Sequence, residues 1–181
     1  YMAQVILTDR RLVTDPQNAR QDAGIERGMA FAKYIDTTVF SNFASLTGGT
    51  LGSLGGTALW GYLLAAEARL RDANVPRPLY AVLHRYAWHD LATVAAVSAT
   101  VTNAPAFQDE VMRRYYVANA AGLDGIFISS NLKESGGTGA YSAVFNPNAI
   151  AFDLRRDVRV EPERDASKRA WELNATVMFA H

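Results

Sequence analysis

Cysteine is absent from all 181 residues, which excludes disulfides and thiolate metal sites. Lysine is scarce: only three of the 18 basic residues are Lys (Lys33, Lys133 and Lys168), and the rest are Arg. An arginine-dominated set suits bidentate pairing with carboxylates better than mobile, strongly hydrated charge. Neither sign is in excess, because 18 basic residues balance 18 acidic ones. No global field therefore draws the chain to nucleic acid or to a membrane surface. No apolar run approaches the roughly 20 residues a membrane-spanning helix needs. A convergent set of acid, base and nucleophile is also missing, so neither an enzyme activity nor a cofactor is expected.

What remains is a chain with an ordinary apolar content of 49% and a charged content of 20%, long enough for one large or two small domains. It opens at Tyr1, without Met and directly in a strand-like run, which reads as a fragment or processed product. Residues 1–13 read as that strand, centred on Val5, Ile6 and Leu7. Thr14 and Asp15 then offer an N-cap, with Pro16 at the first helical position. Ile25, Met29, Ala32, Ile35, Val39 and Phe43 recur at spacings of three and four, so a long spine helix is expected over 16–46. Gly24 and Gly28 weaken its first half by about 1 kcal/mol each relative to Ala, which predicts a bend or soft point there.

Two further helices are expected from Thr57 to about Asn74 and over 86–97, and a third over 108–121. Short apolar runs at 79–83 and 123–129 read as buried strands, and the glycines of 133–140 read as a flexible loop. The closing stretch carries the clearest pattern. Asp153, Arg155, Asp157, Arg159 and Glu161 alternate with Leu154, Arg156, Val158 and Val160, and only Arg156 breaks the apolar set. After a polar connection over 163–168, Trp171, Leu173, Ala175, Val177 and Phe179 share one face. Period-two alternation on both sides of one connection predicts an antiparallel ribbon, with the spine helix on its apolar face. Alternation of strands and helices is confined to about 75–130, so the fold class is α+β with two subdomains, the outer one discontinuous.

Three constellations invite chemistry, and each has a plainer reading. Residues 48–56 hold glycine at 48, 49, 52, 55 and 56 ahead of a helix, where anions can bind. Yet they follow a helix, no Lys succeeds them, and no Gly-x-Gly-x-x-Gly is present, so a hinge or surface loop is expected. His84 and His89 are five apart; on a helix their rings would point about 140° from each other, which does not make a metal pair. Asp109, Glu110, Arg113 and Arg114 sit at helical ion-pair spacings, and Tyr115 and Tyr116 beside them give a wet face and a packed face.

Residues 111–132 read as a helix closed at Gly122, an apolar strand through Ile126 and Ile128, and a Ser130-Asn131-Leu132 ending. Residues 143–152 run from Ala143-Val144-Phe145-Asn146-Pro147 to Phe152, followed by Val158-Arg159-Val160-Glu161 and Glu163-Arg164-Asp165-Ala166. Together these segments resemble the major capsid proteins of tailed bacteriophages with the Hong Kong 97-type shell fold. The resemblance covers about residues 4–181. It implies a peripheral domain from 14–56 and 141–181, comprising the spine helix and closing strands, and a mixed α/β axial domain over 57–140. Residues 1–13 would be the returning limb of an extended loop, and the family's N-terminal arm would be missing.

The implied function is an icosahedral shell of hexamers and pentamers around double-stranded DNA held without sequence-specific contact. Scaffold, portal and cement proteins are the implied partners, with assembly in the host cytoplasm, residence in the virion and no membrane. Lys–Asn cross-links occur in some relatives, but nothing marks Lys33, Lys133 or Lys168 for them. The alternatives are an encapsulin-like compartment shell and a small phosphate-binding enzyme using 48–56. For a tile without chemistry, the row Asp153, Arg155, Asp157, Arg159 and Glu161 is the expected subunit contact.

Overall fold

The computed structural model describes residues 1–15, 18–53, 55–97, 119–132, 134–135 and 139–181. The expected helix over 108–121, with Asp109, Glu110, Arg113, Arg114, Tyr115 and Tyr116, therefore falls almost wholly outside the described residues, as do Pro16 and Lys133. The chain divides into two compact units, one of Tyr1–Val39 with Ala151–His181 and one of Phe40–Ile150.

In the first unit, β1 (Met2–Thr8) pairs antiparallel with β8 (Ala170–Ala180), and β8 pairs antiparallel with β7 (Asp153–Asp165), giving the order β1-β8-β7. The ribbon expected at the C-terminal end is thus present, with β1 as a third strand. The strand expected over 1–13 stops at Thr8. Its hydroxyl accepts from the Arg11 amide at 3.4 Å, and Asp9 in the first turn starts a short helix, α1 (Asp9–Thr14). A cap followed by an acidic residue outweighs the β-branched run before it. Asp15 accepts from the Asn18 amide, where the next helix begins, at 3.3 Å, while the Thr14 hydroxyl turns back to the Arg10 carbonyl.

That helix, α2, spans Asn18–Phe40 and then tightens into a 3-10 turn over Ser41–Ser45, so the expected continuous helix to residue 46 is shorter by one element. It is 23 residues long, about 34 Å at 1.5 Å per residue. Its buried face is also different from the expected one. Ala23, Arg27 and Phe31 are buried, one turn apart, whereas Ile25 and Met29 are exposed. Phe31 packs with Ala175 and Val177, flanked by Ala3 and Phe179. Tyr1 stacks on Tyr34 with ring centroids 3.8 Å apart and meets Phe31 edge-on at 5.5 Å. The aromatic ridge buries more area per side chain than the aliphatic stripe, and it decides which face turns to the sheet.

The second unit holds a three-stranded sheet in the order β3-β2-β6. Here β2 (Tyr80–His84) is parallel to β3 (Gly125–Ser129) and antiparallel to β6 (Ala143–Phe145). Helices α3 (Trp60–Asp72) and α4 (Arg85–Val97) contribute Leu63, Trp88 and Leu91 to a core completed by Leu79, Leu83 and Ile126. Trp60 meets Trp88 edge-on at 6.1 Å and donates its indole N–H to the Leu91 carbonyl at 3.0 Å. A second cluster joins Phe43, Val82, Leu132 and Ala143. Helix α3 starts three residues later than expected and ends where Asn74 takes a left-handed φ of 56°, with its amide on the Arg71 carbonyl. The stretch expected to be a loose loop over 133–140 contains instead a minimal antiparallel pair, β4 (Glu134–Ser135) and β5 (Gly139–Ala140).

Candidate subunit-contact surface

Strand β7 is exposed along Asp153–Arg164, and only its last residue, Asp165, is partly covered. One edge is paired with β8 and the other has no strand beside it among the described residues. A bare edge of this length would template pairing with another chain, unless its geometry forbids it. Three features do so. Two irregularities interrupt the ladder, between Leu154 and Arg156 and between Arg156 and Arg159. Pro162 presents no amide hydrogen, and charged side chains line the strand. Contact through β7 is therefore contact with a face and its side chains.

The register fixes which side chains share that face. Residues opposite one another in an antiparallel pair project to the same side. Arg156, Arg159, Glu161 and Glu163 stand opposite Met178, Thr176, Asn174 and Glu172, and Asp153 opposite Ala180. Leu154, Val160 and Pro162 stand opposite Phe179, Ala175 and Leu173, on the helix-covered side. The expected row is thus kept at Asp153, Arg159 and Glu161. Arg155 and Asp157 fall in the irregular stretch, and Arg156 and Glu163 join the face. Each irregularity adds one residue to β7 relative to β8, and two such additions restore the original parity. Arg156, the one position that broke the alternation, is the sequence trace of this.

Within the chain the row is only loosely tied. Arg155 Nε lies 3.3 Å from Asp153 and Arg159 Nε 3.0 Å from Glu161, with all four side chains more than 60% exposed. The Asp157 carboxylate accepts from the Val158 amide at 2.7 Å. The tip is more tightly organised. Asp165 accepts from the Ser167 hydroxyl and from the amides of Ser167 and Lys168, and these hydrogen bonds pull its pKa down to about 2. Lys168 reaches Glu172 at 2.8 Å and Asp165 at 3.3 Å, which raises its pKa. The turn itself needs Arg169 at a left-handed φ of 48°. The exposed row is held out on a braced hairpin.

The glycine stretch and the two histidines take structural roles. The amide of Ala58, just ahead of α3, donates to the Asp90 carboxylate at 3.0 Å. A carboxylate thus stands at the helix entrance that a phosphate would need. Gly52 has φ +78°, and a Cβ there would lie 3.1 Å from the Tyr62 ring, so this stretch packs closely. His84 is buried at the end of β2, where its Nδ1 accepts from the Tyr86 amide at 3.4 Å, and His89 is exposed on α4. In an open hollow beside Arg71, Asn74 and Arg77, both arginines are paired, Arg71 with Glu67 and Arg77 with Asp124.

Comparison with solved structures bears on the whole arrangement. A structure of Mycobacterium phage Che8 matches 99% of this chain and 64% of its own chain at a TM-score of 0.69 and 20% identity. The capsid of cyanophage P-SCSP1u matches 99% of this chain and 67% of its own at 0.67 and 18%. The mature capsid of bacteriophage PhiM1 matches 99% and 64% at 0.53 and 14%. The fold is that of phage capsid structures. This chain spans about two thirds of the length of each. Neither a family model nor a curated protein matches the sequence.

Proposed function

We propose that this chain is the shell-forming part of a tailed-phage major capsid protein of the Hong Kong 97 type. It builds hexamers and pentamers of an icosahedral shell around double-stranded DNA. The observation that carries this reading is agreement with phage capsid structures over 99% of the chain. In this reading 14–56 and 141–181 form the peripheral domain, 57–140 the axial domain and 1–13 the returning limb of an extended loop. The row Asp153, Arg155, Asp157, Arg159 and Glu161, extended by Arg156 and Glu163, is a contact between subunits. Scaffold, portal and cement proteins are its partners, the host cytoplasm is where it assembles, and the virion is where it resides.

One physical feature supports a tile: a 13-residue strand exposed on nearly every residue buries little apolar surface within its own chain. Electron microscopy of the purified chain tests the reading. Closed particles of uniform diameter are expected; a chain that stays monomeric at every concentration and ionic strength would overturn it.

A further inference from the structure

We propose that β7 docks on the β7 of a second copy about a two-fold axis passing between Arg159 and Glu161. This deepens the shell reading by naming one of its contacts, and rests on that reading for the presence of a second copy. The argument starts from the register. Asp153, Arg156, Arg159, Glu161, Glu163 and Asp165 stand opposite β8 residues 180, 178, 176, 174, 172 and 170, which are evenly spaced. Same-face steps along a strand are about 6.6–7 Å, so these six side chains form a regular row. Its signs run minus, plus, plus, minus, minus, minus.

Turned end for end about its middle, the central four of that row complement themselves. Arg159 meets the second copy's Glu161, and Arg156 meets its Glu163, each contact occurring twice. The two irregularities in β7 set which residues meet: they bring Arg156 into the row, so that two cations stand on one side of the axis and two anions on the other. Arg156 and Glu163 have no hydrogen-bond or ion-pair partner among the described residues. They are also the two charges that the axis brings together. At the ends Asp153 faces Asp165, but each carries its own local cation, Arg155 and Lys168, both at 3.3 Å. Bulges and Pro162 keep the free edge from pairing, which leaves the face as the docking element.

The absence of cysteine makes the test clean. Sheet faces pack about 10 Å apart, beyond the roughly 7 Å Cα separation a disulfide spans, so a short bismaleimide makes the link; Arg156 and Glu163 within one chain lie three same-face steps apart, about 20 Å, too far for it. The double variant R156C/E163C is treated with the bismaleimide, beside R156C and E163C alone. A closed covalent dimer from the double variant only is the expected result. A ladder of higher multimers, a dimer from either single variant, or no cross-link at all would overturn the two-fold arrangement. Charge exchange gives a second reading: R156E and E163R should each weaken self-association at least several-fold, and R156E/E163R together should restore it. Normal particles without the cross-link would remove this contact and leave the shell reading standing. A cross-linked dimer from a chain that never builds particles would do the reverse.

Discussion

Arg164 grips Asp9 across 155 positions of sequence, donating from Nη1 and Nη2 to the two carboxylate oxygens at 2.6 and 2.7 Å. The guanidinium also lies over the Trp171 ring, 5.6 Å from its centroid. One side chain thus joins the end of β7 to the junction of β1 and α1 and to β8. A forked, planar donor matches a carboxylate in a way that Lys would not, which fits the arginine-rich composition.

This clamp predicts an acid-dependent loosening of the ribbon tip. The hydrogen bonds from Arg164 hold the Asp9 carboxyl below its ordinary 3.8. A carboxylate with a depressed folded pKa contributes stability that is present above the unfolded value and is lost as pH falls through the folded one. Asp9→Asn should therefore lower the urea midpoint slightly at pH 7, and the difference from the parent chain should close as pH drops below about 4. Both side chains are 40% exposed, so the effect is small. A difference that stays constant from pH 7 to pH 3 would show that the ion pair contributes nothing.

Arg27 presents the opposite case. It is buried at 6% exposure, and its Nε and Nη2 have no hydrogen-bond partner among the described residues. Desolvation pulls its pKa down, the sign of a charge without compensation. Replacing such a group with an apolar side chain of similar length removes the penalty and keeps the packing. Arg27→Met should raise chain stability by about 1–3 kcal/mol in denaturant titrations. A fall of the same size would mean that the guanidinium is satisfied in solution by a partner that the fold does not supply.

Gly24 and Gly28 lie in an uninterrupted α2, and a Cβ at either position meets nothing within 4 Å. The soft point expected there is thus one of propensity, with no close packing to preserve. Gly28→Ala should stabilise the chain by about 0.4–1 kcal/mol and slow amide exchange in the first half of α2. Unchanged exchange would show that the helix is already held there by other contacts.

Much of this architecture was legible because period and punctuation agree. Alternation from Asp153 to Phe179 gave the ribbon, Gly122 with φ +76° closed the segment before β3, and the prolines at 76 and 78 bounded β2. What stayed hidden depends on competition between faces and on long-range register. Aliphatic positions on α2 outnumber the ridge of Ala23, Arg27 and Phe31, yet the ring at Phe31 packs deeper than Ile25 or Met29. The row on β7 depends on two extra residues per ladder, and no local signal apart from Arg156 records them. Asp9 and Arg164 are separated by almost the whole chain, so their pairing is a product of topology alone.

The glycine stretch before α3 should behave as packed structure. Gly52 needs its positive φ and its closeness to Tyr62, and the neighbouring helix entrance already faces the Asp90 carboxylate. Gly52→Val should therefore cost at least about 1 kcal/mol of stability, from backbone strain and from displacement of the ring. Calorimetric titration with ATP should give no heat of binding for either the parent chain or the variant. Micromolar binding abolished by the substitution would instead make 48–56 an anion site.

Arg159 separates assembly from folding most sharply. Its one ion pair among the described residues, with Glu161 at 3.0 Å, joins side chains 66% and 61% exposed, an arrangement that stabilises by less than about 1 kcal/mol. The residue directly opposite on the same face is the small Thr176, and the Arg159 side chain is 66% exposed, so little packed contact is lost with it. Arg159→Glu should accordingly leave the melting temperature nearly unchanged. For assembly the outcome differs, because a contact repeated over many copies multiplies one unfavourable pair. Reversing this charge sets like signs together at the centre of the proposed contact, on both sides of the axis. Light scattering should then show particle formation abolished or diverted to irregular aggregates at moderate ionic strength, with partial recovery as added salt screens the repulsion. Normal particles with the parent chain's salt tolerance would reduce the β7 row to a solvated face.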